Sequence, residues 1–127
     1  MKELRAGIIG LSRRSAIATD FLTQKGAKIT AVADVDPAKL SSFEKDAFKT
    51  LDYRELLLRD DVDAVFIMTQ DQLHEEMGVA ALEAGKSVFL EKPMAISIEG
   101  CDRLLETAFR TGTSFFWGII CAIRQWS

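Results

Sequence analysis

Short apolar, β-branched runs alternate with stretches of helical periodicity along the whole chain, and few architectures accept that rhythm. Residues 5–9, 28–33, 48–50, 63–69, 87–90 and 114–117 read as strands. Between them, residues 15–24, 38–43, 53–58, 72–84 and 97–110 read as helices. Asp36-Pro37 supplies an N-cap acid and an N1 proline, while Gly26, Gly85 and Gly112 stand where helices close. The 63–69 run is almost continuously apolar, which is the pattern of a strand covered on both faces. Alternation at this spacing implies right-handed βαβ crossovers. The expected fold is α/β: a doubly wound parallel sheet of about six strands with helices on both faces.

At 127 residues the chain is long enough for one domain with a real core. Its 48% apolar and 28% charged residues are ordinary for a globular protein. A net charge of −3 argues against a nucleic-acid partner, and Arg13-Arg14 is too small to make a basic patch. The two cysteines, Cys101 and Cys121, lack metal-ligand spacing, so reduced thiols and no metal are expected. The longest apolar run, residues 115–123, is about half of the roughly 20 residues a membrane helix needs. The N terminus has no basic segment followed by a separate apolar stretch, as a signal peptide would. A cytoplasmic protein without a membrane partner is expected.

Two places carry chemistry. The turn after the first strand is Gly10-Leu11-Ser12-Arg13-Arg14-Ser15, where a dinucleotide fingerprint would read G-x-G-x-x-G. Gly10 is intact, but serines replace the second and third glycines. Ser12, Arg13 and Arg14 are alternative donors to an anion at the helix N terminus; equally, the segment reads as a plain turn with solvated arginines. Asp34 ends the second strand, 24 residues after Gly10. That is close to the roughly 20 expected for an acid that binds ribose hydroxyls, which favours NAD. The nearby arginines keep NADP open. The second place is the run 87–90, which empties into Glu91-Lys92-Pro93. Ligands of an open parallel sheet bind beyond the carboxyl ends of its strands, so Lys92 would point at whatever is bound.

Taken in order, these residues resemble the glucose–fructose oxidoreductase / inositol dehydrogenase / MocA family. The likeness runs through Ala6-Gly7-Ile8-Ile9-Gly10, Ala31-Val32-Ala33-Asp34-Val35-Asp36, residues 62–69 and residues 80–88, and then into Glu91-Lys92-Pro93. The resemblance implies a Rossmann domain for NAD or NADP in residues 1–118. It implies that Gly10, Leu11, Ser12, Arg13 and Arg14 hold the pyrophosphate and Asp34 the adenosine ribose. Thr69 and Gln70 would line the nicotinamide side. His74, the single histidine, would lie near the nicotinamide pocket, with a solvated residue in a helix's first turn as the alternative. Lys92 would contact substrate and the nicotinamide ribose and help the proton move, with Glu91 and Pro93 beside it among the cofactor-binding residues.

The chain departs from the family pattern at Gln70, where proline is usual. Residues 119–127 are expected to begin the crossing into a substrate domain that this chain lacks. Little turnover is therefore expected from the chain alone, and its apolar C-terminal segment is expected to self-associate or to refold against its own sheet. A small sugar, polyol or related carbonyl compound is the implied substrate. The rival reading is a nucleotide-binding or sensing module without redox chemistry.

Overall fold

The computed structural model describes residues 3–90 and 97–117. Six strands form one sheet: β1 (Arg5–Ile9), β2 (Lys28–Ala33), β3 (Phe48–Thr50), β4 (Ala64–Ile67), β5 (Ser87–Leu90) and β6 (Phe115–Trp117). All neighbours are parallel, in the order β3-β2-β1-β4-β5-β6. Around the sheet lie α1 (Arg13–Gln24), α2 (Pro37–Ser42), α3 (Tyr53–Leu57), α4 (His74–Glu83) and α5 (Ile98–Thr111). A 3₁₀ turn, Asp71–Leu73, leads into α4. The doubly wound sheet expected from the alternation is what forms.

The strands sort their side chains by parity onto two faces. Ile8, Val32, Phe66 and Phe89 join Leu22 of α1 and Leu40 of α2 in one core. Within it, Phe66 and Phe89 stack at a centroid distance of 4.4 Å. Ile9, Val65, Ile67, Val88 and Leu90 face α3, α4 and α5 in the other. α4 and α5 cross closely because residue 78 is glycine: a Cβ there would sit 2.5 Å from Leu104 Cδ2.

The N-terminal edge of the sheet is closed by polar groups. Arg5 donates to Asp63 through Nε (2.9 Å) and Nη2 (2.8 Å). Lys86 Nζ donates to the carbonyls of Arg59 (2.7 Å) and Val62 (2.9 Å). Arg59 lies over the Phe48 ring at 4.1 Å and hydrogen-bonds Asp61, holding that carboxyl below its ordinary pKa. With this edge sealed, the carboxyl ends of the strands are left as the place to bind a ligand.

Two expectations are corrected. α1 starts at Arg13, two residues earlier than its apolar spacing suggests, because Ser12 and not a later residue caps it. Ile17, which its helical spacing with Ala18, Phe21 and Leu22 places on the apolar side of α1, is 70% exposed. Among the described residues, no helix is long and apolar enough to cross a membrane. Cys101 is a half-buried free thiol. Cys121, Glu91, Lys92, Pro93 and the apolar segment expected to self-associate lie outside the described residues.

Candidate functional site

The order of strands reverses between β1 and β4, and connections leave that seam in opposite directions. Such a switch point opens a crevice at the carboxyl ends of the strands. Here it is a cleft of about 460 Å³, bordered by Gly10, Leu11, Ser12, Asp34, Thr69 and Gln70. Six of the residues singled out from sequence are thus brought together from three separate loops.

The β1–α1 turn is built to pass close beneath β4. Gly10 has φ +95°, and a Cβ there would meet Thr69 Cγ2 at 2.9 Å and the Met68 carbonyl carbon at 3.0 Å. Glycine is required on both counts. Ser12 by contrast sits at φ −144°, ψ −176°, an extended conformation open to any residue. It caps α1 in a reciprocal box. Ser15 N–H donates to Ser12 Oγ (3.3 Å), and Ser12 N–H donates to Ser15 Oγ (2.6 Å). Ser15 Oγ in turn donates to the Ser12 carbonyl at 2.7 Å. The two serines do not bend the turn; they hold it in shape.

Asp34 ties this turn to β2. Its Oδ2 accepts from Leu11 N–H and its Oδ1 from Asp36 N–H, both at 2.8 Å. Asp36 acts as the helix cap read from sequence, accepting from Ala38 N–H at 3.0 Å. On the β4 side, Met68 N–H still pairs with the Ile9 carbonyl at 2.8 Å, and the chain then turns away. Thr69 Oγ1 lies 3.4 Å from Met77 Sδ, and Gln72 Nε2 donates to Gln70 Oε1 at 2.8 Å.

Other expected site residues fall elsewhere. Arg13 and Arg14 are exposed on the first turn of α1 and do not border the cleft. His74 does not border it either, and it is not solvated: the ring is fully buried, with Nε2 3.2 Å from the Thr69 carbonyl. Val35, Lys39, Leu51 and Tyr53 line the Asp34 end of the cleft and were missed. The signal for Leu51 and Tyr53 is topological, since β3 beside β2 puts the residues after Thr50 next to Asp34. A larger hollow of about 600 Å³ lies between α1 and α2, lined by Thr19, Asp20, Ser42 and Phe43. It shares Leu11, Ser12 and Lys39 with the cleft but runs along the helix flanks and does not reach Gly10, Asp34 or Thr69, so the smaller cleft is the candidate site. Among the described residues there is no group of side chains able to hold a metal ion.

This arrangement agrees with the comparisons to known proteins. The model of the oxidoreductase family with an NAD-binding Rossmann fold, Gfo/Idh/MocA, matches residues 4–119. The chain belongs to this family. Within it, an inositol 2-dehydrogenase/D-chiro-inositol 3-dehydrogenase of Shouchella clausii is 40% identical over 118 residues, covering 86% of this chain and 33% of that protein. An α-N-acetylgalactosaminidase of Shewanella oneidensis is 32% identical over 124 residues, covering 87% of this chain and 27% of the other. The scyllo-inositol dehydrogenase of Lactobacillus casei, solved with NAD(H) and scyllo-inositol, superposes with a TM-score of 0.85 at 31% identity. That match covers 96% of this chain and 38% of the dehydrogenase. The chain therefore spans about a quarter to a third of the length of the curated relatives it matches.

Proposed function

We propose that the chain is the cofactor-binding part of an NAD-dependent oxidoreductase acting on a polyol or sugar. The observation that carries this reading is the convergence of Gly10, Asp34, Thr69 and the N terminus of α1 on the switch-point cleft. The residues fit the group. Gly10 leaves room for close approach where a Cβ would clash. The first-turn N–H groups and macrodipole of α1 favour an anion, which suits a pyrophosphate above residues 10–14. Each Asp34 oxygen has a further lone pair beyond those given to Leu11 and Asp36, enough to accept from ribose hydroxyls. A 2′-phosphate there would face a carboxylate, which favours NAD over NADP.

Thr69 and Gln70 border the half of the cleft that lies over β4, and they are assigned to the nicotinamide side. Bound there, the nicotinamide ring would supply a hydride acceptor or donor. Lys92, directly after β5, is assigned the substrate's proton: it takes the hydroxyl proton as the adjacent carbon loses hydride, and returns it in the reverse direction. Lys92 acts there as a neutral amine and becomes a cation as the proton arrives, and in the reverse direction that cation polarises the carbonyl oxygen before returning the proton. Glu91 and Pro93, its neighbours in sequence, are assigned to the same cofactor-binding segment. Residues 1–118 are assigned to the nucleotide domain and 119–127 to the start of the crossing toward a substrate domain, and the family match over 4–119 supports that division. The polyol or sugar class rests on the inositol dehydrogenase relatives.

Calorimetric titration of NADH and NADPH tests the reading. Saturable binding that prefers NADH and weakens in Asp34→Ala is the expected outcome. Binding no tighter than that of ADP would favour a nucleotide-sensing module, and no binding at millimolar cofactor would overturn the assignment of the cleft.

A further inference from the structure

His74 is the buried group for which the cleft lining has no direct use. Burying an imidazole away from water is costly unless its polar atoms are paired. A leucine or phenylalanine would fill similar space without that cost. Nε2 lies 3.2 Å from the Thr69 carbonyl, and a carbonyl only accepts, so Nε2 carries the proton and donates. The bond runs backwards, from the first residue of α4 to a residue of the cleft wall.

A second observation explains why the wall needs it. α1, α2, α3 and α5 each start on a side-chain cap, from Ser12, Asp36, Asp52 and Ser97. α4 starts on Leu73 with no side-chain cap. Its entry is a 3₁₀ turn, where Leu73 N–H donates to the Gln70 carbonyl at 3.0 Å. Thr69 and Gln70 sit on that entry, so an ordinary cap is missing where the cleft wall needs a fixed position. We infer that His74 is a positioning residue: from beneath the loop it holds the Thr69 carbonyl, and so sets the wall that Thr69 and Gln70 present to the nicotinamide half of the cleft. The inference rests on the cofactor assignment above for its functional consequence, but not for the order it imposes on the loop.

The test compares His74→Phe, which fills the space without a donor, with His74→Gln, whose amide nitrogen can reach as Nε2 does. Amide hydrogen exchange of residues 69–73 reads loop order without any ligand. Titrations of NADH and of ADP read the two halves of the cleft separately. The phenylalanine variant is expected to exchange faster in 69–73 with β2 and α1 unchanged. It should bind NADH about tenfold more weakly, the equivalent of about 1.4 kcal/mol, while ADP binding is retained. The glutamine variant should restore both readouts. Unchanged exchange in the loop, equal losses for NADH and ADP, or no recovery with glutamine would overturn the inference. If the phenylalanine variant does not fold, His74→Met, flexible and without a donor, serves the same comparison. A wild-type chain that binds ADP but gains nothing from the nicotinamide half would sink the cofactor assignment instead, and the exchange measurement would still decide the role of His74.

Discussion

Gly10 and Asp34 do different work within the same few ångströms, and substitution separates them. Gly10→Ala forces an L side chain to φ +95° and into Thr69 and the Met68 backbone. The conformation alone costs about 1–2 kcal/mol, so denaturant unfolding should report at least that loss, along with weakened NADH binding. Asp34→Ala removes the acceptor of Leu11 N–H and the proposed ribose acceptor together. A hydrogen bond to a charged group is worth about 1.5–3 kcal/mol, so NADH affinity should fall roughly ten- to a hundredfold. NADPH should lose less, which narrows the preference between the two; a preference left unchanged in paired titrations would count against Asp34 as its source. Both residues were legible in the sequence because spacing from a strand end fixes them. The serines were not, because a glycine fingerprint treats Ser12 and Ser15 as losses. Reading S-x-x-S as a cap would have placed the start of α1 and given the turn its shape.

The α4–α5 pair depends on a missing side chain. Gly78→Val drives two methyl groups toward Leu104 and is expected to cost about 1–3 kcal/mol by overpacking. Gly85→Ala, in open space but at φ +79°, carries only the conformational cost. Thermal melts of the two variants should separate crowding from backbone strain. At the other edge, Arg59 lowers the Asp61 pKa, so the ion pair adds stability above the ordinary value of 3.8. That contribution is lost as pH falls through the lowered folded-state value. Asp61→Asn should therefore flatten the acid end of a stability–pH curve and leave its neutral shape unaltered. Helix existence was legible from apolar spacing and caps, while burial in first turns was not. His74 occupies a position in sequence that suits solvent equally well, and its burial comes from tertiary packing that no local spacing shows.

Among the described residues, the carboxyl ends of β1 and β4 border the cleft, while the opposite ends of the strands carry the bonds of Arg5, Arg59 and Lys86. A ligand bound only by the folded chain stabilises it by mass action. NADH at a hundred times its dissociation constant should add about 2.7 kcal/mol, and a melting temperature unmoved at that concentration would contradict specific binding. That the sheet is parallel and doubly wound follows from strand–helix alternation and crossover handedness, so that much was readable; the order of strands was not, and Leu51 and Tyr53 at the Asp34 end of the cleft became visible only once β3 lay beside β2. That order has a kinetic consequence. β1 pairs with β2 across one short helix, but its other neighbour is β4, and the clamp between Arg5 and Asp63 spans 58 positions. Non-local pairing of this kind is closed late and slowly. During synthesis from the N terminus, β1, α1 and β2 can assemble while β4 is still unmade. The cleft is the seam between a part of the chain made early and a part made later, and it has only one wall until Thr69 has left the ribosome.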